Sequence, residues 1–298
     1  VTANPTSRST AADYAARWRR VLEHIDRHLG ENLAVADLCG VAAFSRFHFH
    51  RQFAGLFGVG VAEYVRLTRL KRASYELAYR KRATVEIALD TGYETPEAFA
   101  RAFKKTVGQT PTAFRRAPQW ETWHAVYRPI AELRSTHMKP THCPDDVRIV
   151  DFPATPVATL EHRGDPRRLG DAIRRFIAWR RENGLPPSRS ATFNVVYDDE
   201  LGVPPADFRF DLCAATERPI APNDYGIVAT TLPAGRCAVL RHIGSDANLR
   251  DSVLYLYGEW LPPSGAEVRD APLFFQRVRF YPDVAEHEAV TDIYLPLK

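Results

Sequence analysis

Residues 35–66 read VADLCGVAAFSRFHFHRQFAGLFGVGVAEYVR, and residues 85–116 read VEIALDTGYETPEAFARAFKKTVGQTPTAFRR. At a displacement of fifty, Val35 falls on Val85, Phe49 on Phe99, Arg51 on Arg101, Phe53 on Phe103, Gly58 on Gly108 and Arg66 on Arg116. Self-similarity at one spacing means that a single supersecondary unit is used twice. Each copy reads as a short helix, a tight turn and a second helix opened by a hydroxyl. In copy two Gly92 supplies a permissive turn backbone, Thr95 an N-cap, Pro96 the first helical position and Glu97 a charge suited to the positive helix end. Ser45 is expected to cap copy one.

Phe49/Phe53 and Phe99/Phe103 are spaced four apart, so each pair shares the buried face of its helix. The opposite face carries Arg46, Phe47, His50 and Arg51 in copy one. In copy two it carries Pro96, Glu97, Ala100, Arg101 and Lys104. Two helix-turn-helix units with a basic outer face have the geometry that lays a helix into a major groove. Phe47 reads two ways, as an outward contact to thymine methyls or as packing on the first helix of its own unit.

The 298-residue length suggests two domains, and 45% apolar content is enough for packed cores. No run approaches the roughly 18 apolar residues of a membrane span, so no membrane partner is expected. VTANPTSRSTAADYAA lacks an apolar core; residues 1–14 are expected to be a disordered start, not a secretion signal. Cys39, Cys143, Cys213 and Cys237 are widely spaced and read as buried small side chains in a reducing, cytoplasmic compartment. Residues 1–117 hold 19 Lys/Arg against 11 Asp/Glu, a net +8, whereas residues 118–298 hold 21 against 25, a net −4. Attraction to phosphates therefore belongs to the N-terminal part.

Trp18, Val21, Leu22, Ile25 and Leu29 form a helical stripe within Tyr14–Leu29 that would brace the first unit. His24 and His28 lie four apart on it; without a third ligand nearby they read as solvated surface, and no metal is expected. Glu63–Lys81 is a second long helical pattern joining the two units. RLKRASYELAYRKR, residues 69–82, is expected to run close to the phosphate backbone.

Ser45, His48, Phe49, Arg51, Phe53 and Gly58, followed by Gly92, Tyr93, Phe99, Phe103, Lys104, Gly108, Thr110, Pro111, Phe114 and Arg115, form a pattern that resembles the AraC/XylS transcription regulators. The resemblance covers about residues 15–117 and implies a DNA-binding domain. By position it implies base reading by Phe47, His50 and Arg51 in copy one and by Pro96, Glu97 and Arg101 in copy two. Pro96 and Glu97 depart from the polar residues usual there, which leaves Arg101 and phosphate contacts to the second unit.

Residues 118–145 contain prolines and no clean periodicity, and read as a linker with a helical turn around Ile130–Leu133. A second repeat follows at a spacing of eighty: ATLEHRG from Ala158 matches AVLRHIG from Ala238, and Leu169 and Asp171 match Leu249 and Asp251. Each half reads as a strand or strand pair, a helix (about 167–183 and 247–261) and two strands. The strands expected last are Thr192–Tyr197 with Phe208–Ala215, and Leu273–Tyr281 with Thr291–Leu297. Two such halves usually pack about a pseudo-twofold whose crevice takes a ligand. TLPAGRCAVLRHIG (231–244), LYGEWLPPSG (256–265) and TDIYLPL (291–297) resemble the GyrI-like effector-binding domain over about 146–298. That resemblance implies a site for bulky aromatic or cationic compounds around an acidic residue.

Trp179, Tyr255, Glu259 and Trp260 have the aromatic faces and the carboxylate that a lipophilic cation needs. Core packing of the three aromatics is the competing reading. Trp179 matches Glu259 if the spacing of eighty holds through the helix, and matches Trp260 if one counts back from Gly184 and Gly265. The fold expected is multidomain: an all-α double helix-turn-helix domain, then an α+β pseudo-twofold domain of two strand-helix-strand-strand halves. The function expected is a transcription regulator that binds double-stranded DNA and a small-molecule effector, with RNA polymerase as a further partner. No cofactor and no catalysis are expected. Hydrolysis of a reactive compound, or docking of a protein, are the alternatives for the C-terminal domain.

Overall fold

The computed structural model describes residues 5–199 and 202–298, with side chains from Asp13 onward. Two compact units emerge: one runs to Lys139 and takes in Ala285–His287, the other comprises Pro140–Val284 and Glu288–Lys298.

The first unit contains α1 (Pro5–Arg27), α2 (Val35–Ala42), α3 (Arg46–Phe57), α4 (Val61–Tyr79), α5 (Thr84–Asp90), α6 (Pro96–Val107), α7 (Pro111–Arg116) and α8 (Trp120–His137). The expected stripe of α1 is buried, and Trp18 lies 5.2–5.8 Å from the rings of Phe44, Phe49, Phe53 and Phe57. Phe49, Phe53, Phe99 and Phe103 are all fully buried. The order of exposed and buried positions along 51–60 recurs unchanged along 101–110, so the repeat extends to packing.

Several expectations need correction. Residues 5–14, expected to be disordered, are helical; residues 1–4 of that stretch lie outside the described residues. Ser45 occupies the N-cap position of α3, but its side chain makes no capping hydrogen bond, whereas Thr95 Oγ1 accepts from Ala98 N at 3.2 Å. Cys143 is exposed; the other three cysteines are buried as expected, and all four are free thiols.

The largest correction concerns the linker, most of which is helix α8. Trp120, Trp123, Tyr127, Ile130 and Arg134 recur every three or four residues and are buried. Pro129 is tolerated because it sits on the exposed face, where the carbonyl it cannot bond can turn to water. Trp120 meets Phe114 at 5.5 Å and stacks on Tyr79 at 5.8 Å, while His137 meets Phe57 at 4.8 Å. One end of α8 thus serves the second helix-turn-helix unit and the other end the first.

Three of the six cations in the basic run 69–82, Arg69, Lys71 and Arg82, are engaged within the fold, while Lys81 stays exposed. Arg69 donates to the carbonyls of Leu29 (2.8 Å), Glu31 (2.6 Å) and Gly92 (3.2 Å), tying the end of α1 to the turn of the second unit. Gly92 has φ 78°, which strains any L-residue, and a Cβ there would come 2.6 Å from the Arg69 guanidinium carbon and push it off its carbonyl partners. Lys71 is buried, and Arg82 pairs with Asp90. Burial of α4 engages Arg69 and Lys71, and an ion pair beyond its end engages Arg82.

The equivalent turn in copy one places Ala43 in the left-handed region at φ 53°. An L-residue there is strained by about 1–2 kcal/mol, partly offset by the backbone entropy that glycine loses on folding. Ala43 is exposed and contributes little else. Ala43→Gly should therefore raise stability by about 0.5–1 kcal/mol, read as a shift in the urea midpoint.

The second unit is an eight-stranded antiparallel sheet: β1 (Val147–Phe152), β2 (Thr155–Arg163), β3 (Thr192–Val196), β4 (Arg209–Ala215), β5 (Ile227–Leu232), β6 (Gly235–Ile243), β7 (Leu273–Arg279) and β8 (Val290–Pro296). The strand order is β1-β6-β8-β7-β3-β4-β2-β5. Exchange the halves and the order reads the same from the other end, so a pseudo-twofold passes between β3 and β7. Helix α9 (Leu169–Glu182) belongs to the first half and α10 (Leu249–Tyr255) to the second. Each half opens with the strand-pair alternative, β1 then β2 and β5 then β6, but the leading strand pairs across: β1 with β6 and β5 with β2. β1 thereby joins the sheet of the opposite half, as does β5.

Candidate nucleic-acid interface and effector site

On α3, Arg46, Phe47, His50 and Arg51 are all exposed. Phe47 is 88% exposed, which decides between its two readings: it does not pack on its own unit. On α6, Glu97, Arg101 and Lys104 are exposed and Pro96 is half-buried at the first helical turn. Among the described residues neither Arg51 nor Arg101 has an ion-pair partner, so both guanidinium groups are available. Arg66 is not: it clasps Glu63 at 2.6 and 2.8 Å and donates to Thr106 on α6. Matching arginines in the repeat therefore serve different ends, Arg51 and Arg101 pointing to solvent and Arg66 joining α4 to α6.

His24 and His28 lie with ring centroids 4.3 Å apart, and His28 Nδ1 is 2.9 Å from Glu31. Burial and the neighbouring His28 hold the His24 imidazole below the usual histidine range. Among the described residues no group of three or more ligating side chains is arranged to hold a metal.

In the second unit α10 continues through a π-helical turn, Leu256–Trp260, into α11 (Leu261–Ser264) without leaving helical backbone angles. A π turn accommodates one extra residue in a helix and is common at functional sites. Its effect on the repeat can be read directly. Before it, the short turns Pro166–Arg168 and Asp246–Asn248 match at a spacing of eighty. After it, Gly184 and Gly265, both with positive φ, match at eighty-one. The open register is thereby resolved: Trp179 matches Trp260, and the π turn that carries Glu259 holds the extra residue.

Trp179, Tyr255 and Trp260 belong to one buried cluster on the helix-bearing face of the sheet, at 3%, 9% and 9% exposure, while Glu259 is exposed. The three rings are core by burial, with the carboxylate at their edge. Burial, with Cys143, Glu259 and Asp146 nearby, pushes the Tyr255 phenol up.

A buried polar chain that the sequence reading did not single out lies against Tyr255. His142 Nε2 is 2.8 Å from Ser252 Oγ, Ser252 Oγ is 2.8 Å from His242 Nδ1, and His242 Nε2 is 3.0 Å from the carbonyl of Ser245. The His142 ring lies 5.1 Å from that of Tyr255. Burial holds both imidazoles below the usual histidine range; Asp146 and Glu259 pull His142 the other way. A signal was present, since His162 and His242 occupy the same place in the quoted repeat. Its meaning rests on Ser252, for which the first half has Ala172.

An outward basic helix repeated in two turn-linked units, in one chain with a duplicated α+β domain, defines a transcription regulator with a DNA-binding part and a small-molecule-binding part. Residues 145–298 match the family described as the GyrI-like small molecule binding domain, and residues 38–117 match a helix-turn-helix domain of AraC type. The chain belongs to the GyrI-like family. Probable transcriptional regulator YgiV of Escherichia coli (strain K12) is 42% identical over 153 residues, 51% of this chain and 96% of that protein. Uncharacterized HTH-type transcriptional regulator YbfP of Bacillus subtilis (strain 168) is 39% identical over 102 residues, 34% of this chain and 35% of that protein. The solved C-terminal domain of EcmrR aligns over 51% of this chain and 96% of that one at 17% identity, with a TM-score of 0.43. No described helix is long and apolar enough to cross a membrane.

Proposed function

We propose that the output of this regulator is set by a lipophilic, aromatic and cationic effector held at Tyr255, Glu259 and Trp260, with Trp179 as the matching wall of the other half. The observation that carries this reading is the π turn: it holds the exposed Glu259 directly before the buried Trp260 and close enough to the buried Tyr255 for its charge to act on the phenol. A cation over aromatic faces beside a carboxylate is attracted to both. The DNA site is read by Arg46, Phe47, His50 and Arg51 of α3, with Pro96, Glu97, Arg101 and Lys104 of α6 giving the weaker second half. The cytoplasm is the proposed compartment and RNA polymerase the proposed protein partner, both on functional class alone.

Titration of the full chain with tetraphenylphosphonium tests the effector site. Saturable binding is expected, and Glu259→Gln should weaken it about threefold, the scale of one exposed charge pair. Unchanged affinity would remove Glu259 from the site. Consumption of an ester or other reactive probe, instead of saturable binding, would favour hydrolysis.

A further inference from the structure

Within the second unit, His142 lies between α8 and β1, just before a short 3-10 turn at Pro144–Asp146, and its ring packs against that of Tyr255. That turn is capped locally, Cys143 N donating to Asp146 Oδ2 at 2.7 Å. His142 has three features demanded of the proposed effector: a flat aromatic ring, a place over Tyr255, and a nitrogen within the field of Glu259.

Its hydrogen bonds add a fourth requirement. The carbonyl of Ser245 can only accept, so His242 Nε2 carries the proton that bonds it. In the neutral ring Nδ1 then accepts from the Ser252 hydroxyl. That hydroxyl proton is committed, and the Ser252 oxygen can offer only a lone pair toward His142. Whatever stands where His142 stands must donate a hydrogen bond.

The first half has neither this chain nor the π turn. Ala172 replaces Ser252, and His162 Nε2 is without a hydrogen-bond partner among the described residues. Polar chain, extra helical residue and Glu259 are all departures from the repeat, and they fall together. Local departures from an otherwise consistent pattern concentrate where function is built.

We propose that His142 is a built-in occupant of the effector site, and that the effector is a planar aromatic base bearing an N–H donor, which displaces it from Tyr255 and Ser252. The proposal rests on the effector reading above and narrows its chemical class. It also makes binding competitive with a side chain of the second unit's own opening segment, which begins at Pro140.

The test uses the full chain without DNA and two probes sharing one ring system, 9-aminoacridine, which has N–H donors, and 10-methylacridinium, which has the charge but none. His142→Ala should bind 9-aminoacridine about tenfold more tightly than the parent, the scale of one hydrogen bond and one ring contact no longer in competition. A misfolded variant would bind less tightly, so loss of fold cannot imitate this result. Ser252→Ala should abolish the preference for 9-aminoacridine over 10-methylacridinium. His142→Ala binding no more tightly than the parent, while Glu259→Gln weakens both probes, would overturn the built-in occupant and leave the effector site standing. If no form binds either probe, both readings fall.

Discussion

Arg134→Ala should cost the N-terminal unit about 3–5 kcal/mol, as much as the loss of a large core aromatic. Arg134 is 1% exposed and donates to both oxygens of Asp26, at 3.0 and 2.5 Å, and to the Tyr64 hydroxyl at 2.8 Å. Those partners lie on α1 and α4, so one guanidinium from α8 joins three helices. Truncation leaves the Asp26 carboxylate, itself 2% exposed, buried without its countercharge. That uncompensated charge, more than the lost attraction, drives the expected effect. Arg134→Lys should recover only part of it, because an ammonium cannot match both carboxylate oxygens and the phenol together. Chemical denaturation in a Trp179→Phe, Trp260→Phe background, which leaves Trp18, Trp120 and Trp123 as the fluorescent reporters, reads the N-terminal transition. A loss below about 1 kcal/mol would mean that water reaches Asp26 and that α8 is held by its aromatic contacts alone.

Arg51→Ala should weaken specific operator binding by about 1–3 kcal/mol, the scale of one bidentate base contact. The side chain is exposed on the outer face of α3, and among the described residues no carboxylate competes for it. The salt dependence separates the roles of the basic residues. Loss of a base contact lowers affinity while leaving the slope of log K against log salt nearly unchanged, whereas Lys104→Ala, a phosphate contact on α6, should reduce that slope by about one. Arg101→Ala should cost less than Arg51→Ala, since its neighbours Pro96 and Glu97 offer few donors. Equal binding by Arg51→Ala and the parent, at several salt concentrations, would remove α3 from the role of principal reader.

Much of this architecture was legible because the chain repeats itself. Fixed spacings placed both helix-turn-helix units, the buried phenylalanines and the two α+β halves. What misled was local chemistry taken singly. Pro129 suggested a linker, yet burial of Trp120, Trp123, Tyr127 and Ile130 outweighs a proline on the wet side of a helix. The basic run 69–82 suggested phosphate contacts, but the residues of α4 that pack the core draw Arg69 and Lys71 inward with them. Ser45 had the right identity and position for a cap and does not make the bond.

From residue order alone follow the two duplications, the sign of charge on each part and the outward faces of α3 and α6, since periodicity and side-chain chemistry are local properties. Three features required the folded chain: the exchange of β1 and β5 between halves, the π turn that aligns Trp260 with Trp179, and the line from His142 through Ser252 to His242. The first and third join residues distant in sequence, and the π turn, although local, departs from the helical repeat. All three are selected by the shape of the packed sheet and helices. No short-range pattern records it.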